Sequence, residues 1–265
     1  MLKQRVITAA VAILVVLGVL LFGNAIAWKW VVWVCTSAGY IEFATMHRLR
    51  WYSPLTLYGI LLVTLCEWFP HFFYHPFALF LVIAIALSIA VISLNRVDVQ
   101  TSALQTIGAL YIAAGGFALA QLRALPHGWF WIWFLMIAIW MSDTSAYFVG
   151  RFVKGPKLLP EISPKKTISG AVGGIVGAAI GAVIFGLIAQ PALDWWTCAL
   201  TGAVISLAGQ LGDLIESAYK RSAGVKDSGK MLPGHGGMLD RVDSLLFAAP
   251  FALWIVLHGL GTWFR

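Results

Sequence analysis

Between Lys226 and Asp243 the chain reads K-D-S-G-K-M-L-P-G-H-G-G-M-L-D-R-V-D, and these 18 residues gather three of the 11 acids, three of the 18 Lys and Arg residues and one of the six His residues. The surroundings are apolar: 60% of the chain is hydrophobic, 11% is charged, and the mean hydropathy is +0.87. Carboxylates beside lysine, arginine and glycine are the materials of a site for phosphates and a hard cation. Mg²⁺ binds through one or two carboxylates while keeping waters and substrate phosphates. Lys226 and Arg241 can neutralise phosphate charge, Lys as a point charge and Arg through its planar fork. Gly229, Gly234, Gly236 and Gly237 allow backbone N–H groups to come close to phosphate oxygens. Upstream, G-D-L-I-E-S-A-Y-K-R spaces Asp213, Glu216 and Lys220 at i, i+3 and i+7, one face of a helix. Asp240 and Asp243 are again three apart, so four carboxylates could look into one site. The same composition also allows a plainer arrangement in which these acids and bases only neutralise one another.

A second group begins at Asp143 in W-M-S-D-T-S-A-Y-F-V-G-R. An acid inside an apolar span is costly, and it is expected to face the bundle interior as a ligand, a charge partner or a structural acceptor. The segment I-S-P-K-K-T places Ser163, Lys165, Lys166 and Thr167 just before a glycine-rich helix whose N-terminus could receive phosphate. Paired lysines at a span end also serve as topology determinants. His235 lies between Gly234 and Gly236, where it could act as a base, contact phosphate or hold the loop. Cys35, Cys66 and Cys198 sit far apart in apolar runs and read as small buried hydrophobes. The ladder Gly170, Gly173, Gly174, Gly177 and Gly181 reads as a surface for close helix packing.

Apolar runs long enough to cross a bilayer as helices must position these groups. About nine are expected, near Val6–Phe22, Trp28–Thr45, Pro54–Phe69, Phe77–Leu94, Ala103–Leu122, Trp129–Val149, Gly170–Ala189, Trp195–Ile215 and Leu245–Phe264. Continuous runs without alternation imply helices rather than a barrel. The expected fold is an all-α, multi-pass integral membrane protein with a polar cavity on its cytoplasmic side. It forms one membrane domain, with scaffold helices over 1–128 and a catalytic region over 129–265. Lys3, Arg5, Arg48, Arg50, Arg151, Lys154, Lys157, Lys165, Lys166, Lys220, Arg221, Lys226, Lys230 and Arg241 would fall inside, and Arg123 and Arg265 outside. This bias predicts a cytoplasmic N-terminus and an external C-terminus. The net charge of +7 is then mostly topological; the basic face suits anionic lipid headgroups, and no nucleic-acid partner is expected.

The stretch from Ser217 to Asp243, S-A-Y-K-R-S-A-G-V-K-D-S-G-K-M-L-P-G-H-G-G-M-L-D-R-V-D, closely resembles the signature of the phosphatidate cytidylyltransferases, also called CDP-diacylglycerol synthases. D-T-S-A-Y-F-V-G-R from Asp143 and I-S-P-K-K-T from Ile162 are similar to the same family, so the motifs cover roughly 143–243. Where family members often carry an aromatic residue and then Glu or Gln, this chain has Ile168 and Ser169. The resemblance implies an enzyme of the bacterial-type cytoplasmic membrane that condenses CTP with phosphatidic acid to give CDP-diacylglycerol and pyrophosphate, with its site facing the cytoplasm. It implies Mg²⁺, with room for a second cation, held first by Asp213 and Asp240, with Glu216, Asp227 and Asp243 around them. Lys220, Arg221, Lys226 and Arg241 become the phosphate-binding residues, with Lys165 and Lys166 next. Asp143, Ser163, Thr167, Gly236 and Gly237 join the substrate-binding set, and His235 the catalytic one. Oligomeric state stays open, with a homodimer as one assembly the reading admits. Two other readings are a CTP-dependent lipid kinase, which would transfer the γ-phosphoryl group, and a membrane transporter. The transporter would be expected to show matching halves, whereas the charge here is lopsided toward the C-terminal half.

Overall fold

The computed structural model describes residues 14–71, 76–92, 98–189, 193–231 and 236–258. Its helices are α1 (14–22), α2 (Ala25–Met46), α3 (Pro54–Trp68), α4 (Pro76–Ile92), α5 (Val99–Ala124), α6 (Gly128–Phe152), α7 (Ile168–Ala189), α8 (Trp195–Ser222) and α9 (Leu239–His258). Local chemistry sets several starts. Asn24 accepts the Ala27 N–H at 2.8 Å, Ser53 accepts that of Thr56 ahead of Pro54, and Asp98 accepts that of Thr101 at 2.6 Å. These side chains satisfy N–H groups that the first turn leaves without partners. Among the described residues α5, α6, α7, α8 and α9 are long and apolar enough to cross a bilayer. These five helices fit a helical membrane protein.

Two local features differ from the sequence expectation. The segment around I-S-P-K-K-T is not a plain loop but an antiparallel hairpin of β1 (Lys157–Leu159) and β2 (Ser163–Thr167). The last helix begins at Leu239 rather than Leu245, because an apolar-run criterion skips the charged first turn that carries Asp240 and Arg241, whereas an acid there is favoured by the helix dipole.

The chain forms two compact units, residues 1–120 with 223–242, and residues 121–222 with 243–265. In the first, α2 and α3 run against each other through Thr36–Glu67 at 2.7 Å and Trp33–Thr64 at 3.0 Å. Glycines mark the closest crossings: Gly59 faces the Tyr40 ring, Gly108 faces Phe43, and Gly116 faces Thr36 and Glu67.

In the second unit the predicted glycine ladder is a packing surface. A β-carbon on Gly173 would strike Val149, one on Gly177 would strike Ser145, and one on Gly181 would strike Met141. The opposite stripe of α7, Val172, Val176, Ile180, Ile184 and Ile188, is exposed. Small residues inward and large apolar ones outward is the pattern of a helix that packs by close contact in lipid. Polar staples reinforce it. Ser142 Oγ of α6 and Ser206 Oγ of α8 lie 2.7 Å apart, and Gln210 Nε2 of α8 donates to the Ala171 carbonyl of α7 at 3.1 Å. Interhelical bonds of this kind contribute on average about 0.6 kcal/mol each, so shape complementarity decides the packing and the staples set its register.

Candidate active site

The candidate residues lie in both compact units. In the second unit, β2 presents Lys166 to Asp213 of α8, with Nζ to Oδ2 at 2.6 Å. Strand alternation explains why one lysine of the pair does this: successive side chains point to opposite faces, and Lys165 is exposed while Lys166 is half-buried. Ser217, one helical turn after Asp213, donates to its Oδ1 at 3.3 Å. Close approach of α8 to α9 is secured by Gly212, where a β-carbon would sit 2.6 Å from Phe247 Cβ and 2.8 Å from the Asp243 carbonyl oxygen. Asp243 consequently lies in the Coulombic field of Asp213, Lys166 and Lys220, and Asp143 in that of Asp213 and Lys166.

Asp143 is exposed on α6 and faces the Asp213 and Lys166 charges. The nearby Lys166 charge offsets part of the cost of withdrawing this carboxylate from water. Asp213 and Glu216 share a helix but differ in exposure. Glu216 is buried, 1% exposed, and pairs with Lys220 one turn on, whereas the Asp213 side chain is 36% exposed. Arg221 is exposed at the end of α8.

The hairpin joins α7 through Thr167. Its Oγ1 accepts the Gly170 N–H at 3.1 Å, so this buried hydroxyl caps the helix. Ser169 donates to the Lys154 carbonyl and ties the hairpin's entry to its exit. The departure from the family pattern at 169 thus has a structural use. Ser163 is half-buried in β2 and pairs with Leu159.

In the first unit, the glycine loop is organised around two carboxylates. Asp240 Oδ2 accepts the Ser228 N–H at 2.9 Å and the Gly237 N–H at 2.8 Å, and the Ser228 hydroxyl also lies 2.9 Å from it. Gly236 has φ of +83°, and a β-carbon there would come 2.9 Å from the same oxygen. The second carboxylate is Glu42 of α2, which sequence reasoning missed. It is 4% exposed, and its Oε2 accepts the Leu239 N–H at 3.0 Å and faces the Ser228 hydroxyl at 3.3 Å. Gly229 and Gly237 were read as room for phosphate, but β-carbons on both would strike the Glu42 carboxylate. Lys226, Asp227 and Arg241 are exposed. Gly234 and His235 lie outside the described residues. The signal available for Glu42 was an acid inside the apolar run W-V-V-W-V-C-T-S-A-G-Y-I-E-F, where a lone charge is costly.

Among the described residues no three His, Cys, Asp or Glu side chains gather into a metal cage. Mg²⁺ does not require one, because it commonly takes one or two carboxylates and completes its shell with water and substrate phosphates. The half-exposed Asp213, with Asp143 and Asp243 in its field, fits that donor chemistry.

A family model, the cytidylyltransferase family, matches residues 3–258. The chain is 36% identical to the phosphatidate cytidylyltransferase of Bacillus subtilis over 263 residues, covering 96% of this chain and 97% of that protein. It is 34% identical to the proteins of the same name from Staphylococcus saprophyticus and Staphylococcus epidermidis, each over 255 residues, 94% of this chain and 96% of theirs.

Proposed function

The chain belongs to the cytidylyltransferase family, and from that premise we propose how its residues carry out the reaction. The enzyme condenses CTP with phosphatidate to give CDP-diacylglycerol and pyrophosphate, a step of phospholipid synthesis. The observation that carries this is identity of 36% over nearly the full length to a phosphatidate cytidylyltransferase. A phosphate oxygen of phosphatidate forms a bond to the α-phosphorus of CTP, the bond from that phosphorus to the bridging oxygen breaks, and pyrophosphate leaves with the bonding pair. A phosphate monoester has a second pKa near 6, so the nucleophile is already largely deprotonated at neutral pH. His235 is then not an obligatory base and serves the loop or the leaving group.

Asp213 is the carboxylate for the cation, with Asp143 and Asp243 adding negative field around it. A cation held there supplies charge compensation for the triphosphate. Lys166 and Lys220 flank that carboxylate cluster and are placed to take up phosphate charge as the nucleotide arrives. Lys165, Arg221, Lys226 and Arg241 are exposed cations that serve as further phosphate contacts. The Ser228–Asp240 latch shapes the glycine loop so that its backbone can meet the nucleotide. Purified protein given CTP, phosphatidate and Mg²⁺ is expected to release pyrophosphate and leave cytidine on the lipid. A lipid phosphorylated without cytidine would favour the kinase reading.

The finer topology is part of the same proposal: nine spans, N-terminus in the cytoplasm, C-terminus outside and the site open to the cytoplasm, as the Lys and Arg distribution requires. A reporter active only in the cytoplasm, fused after Arg265, is expected to be silent. Activity there would overturn the odd number of spans.

A further inference from the structure

Glu42 has no place in the chemistry just described, yet it is among the most deeply buried charged groups of the first unit. Burying a carboxylate is unfavourable unless donors surround it. An apolar side chain of similar volume would suit α2 at least as well. What the carboxylate meets instead is the glycine loop, reached across 186 to 197 residues of sequence. Both arms of that loop close on it. From one arm come the Ser228 hydroxyl and the Cα of Gly229; from the other come Gly237 and the Leu239 N–H. Gly39, one turn earlier on α2, lies against the Leu239 side chain, whose Cδ1 would be in ordinary contact, at 3.5 Å, with a β-carbon at 39. The two arms therefore approach to within a glycine-only spacing, Gly237 against Gly229, because the carboxylate fills the space a side chain would need.

We propose that Glu42 is a positioning residue: its carboxylate is the internal template on which Ser228–Gly229 and Gly237–Leu239 take their nucleotide-binding shape. It holds Leu239 through its N–H and Ser228 through its hydroxyl, and Ser228 in turn holds Asp240 through its own N–H. Glu42 touches neither substrate nor reacting atoms. The proposal rests on the reading of the loop as a nucleotide-binding element. Its kinetic consequence follows from population shift: a loop that spends only a fraction of its time in the competent shape raises the apparent dissociation constant by the inverse of that fraction. Excess nucleotide then recovers the lost rate.

The test is steady-state kinetics of the full chain in detergent, with amide hydrogen exchange of the peptides covering the two loop arms. Glu42→Leu removes both contacts; Glu42→Gln keeps one acceptor and the side-chain volume. The KM for CTP is expected to rise about 10- to 100-fold in Glu42→Leu, the size set by losing hydrogen bonds to a charged group, and less in Glu42→Gln. At saturating CTP, kcat returns to within a few-fold of the wild type. Exchange at Leu239 and its neighbours speeds up in the same order. Should Glu42→Leu fail to accumulate, Glu42→Gln alone still has to show the raised KM. An unchanged KM with kcat reduced only in proportion to folded protein would mean a purely structural acid and overturn the proposal. Unchanged loop exchange in Glu42→Leu would overturn it as well. Failure of the functional reading shows elsewhere, in a wild-type chain that does not turn over CTP, so the two failures are distinguishable.

Discussion

Asp213→Asn is expected to lower kcat at saturating CTP by at least about 10²-fold, the loss typical of removing one preorganised electrostatic contact from a transition state, while the protein stays folded in the membrane. The amide keeps the volume of the carboxylate and an oxygen for Ser217, so packing along α8 is unchanged. What disappears is the charge that would hold a hard cation and that now faces Lys166 at 2.6 Å. The side chains of that pair are 29% and 36% exposed, and half-exposed ion pairs contribute only about 0–1 kcal/mol to stability. Activity and stability should therefore separate: a large loss in turnover with a melting temperature in detergent within a few degrees of the wild type. Near wild-type turnover at ordinary Mg²⁺ would remove Asp213 from the site.

Asp240→Asn acts by a different route and with comparable force. One oxygen of Asp240 receives two backbone N–H groups and faces the Ser228 hydroxyl, and bonds to a charged acceptor contribute about 1.5–3 kcal/mol each against about 0.5–1.5 for neutral ones. Weakening the two N–H bonds by about 1.4 kcal/mol apiece corresponds to roughly 10²-fold in kcat/KM at about 1.4 kcal/mol per decade. The accompanying sign is loosening of the loop, read as faster tryptic cleavage at Lys226 and Lys230. A variant with an intact loop and intact kcat/KM would show that the latch is dispensable.

Much of this was legible because membrane helices advertise themselves. Continuous apolar runs located α2 to α7 to within a few residues and the start of α8, which runs on past Ile215 to Ser222, and the ordered string from Ser217 to Asp243 pointed to the family. The glycine ladder of α7 read correctly as packing because small residues four apart have one obvious use between helices. The hairpin did not show, since three residues on β1 and five on β2 are too few for an alternating pattern to emerge, and prolines at 160 and 164 suggest a plain turn. Glu42 was hidden for a different reason. Its partners lie nearly two hundred residues away, and no polar neighbour in its own apolar run points to them. The reason for Gly229 and Gly237 followed it out of reach: a glycine's purpose depends on what occupies its missing side chain's space, and here that is a carboxylate from α2.

Which phosphorus of CTP reaches the lipid tests the account most directly. Purified protein in detergent micelles with phosphatidate and Mg²⁺ would be given CTP labelled on the α-phosphorus in one reaction and on the γ-phosphorus in another. The expected result is α-label in the solvent-extracted lipid, in equal amount to the pyrophosphate released, with the γ-label wholly in the aqueous pyrophosphate. Label from the γ-position on the lipid, with none from the α-position, would contradict cytidylyl transfer and the site assignment built on it.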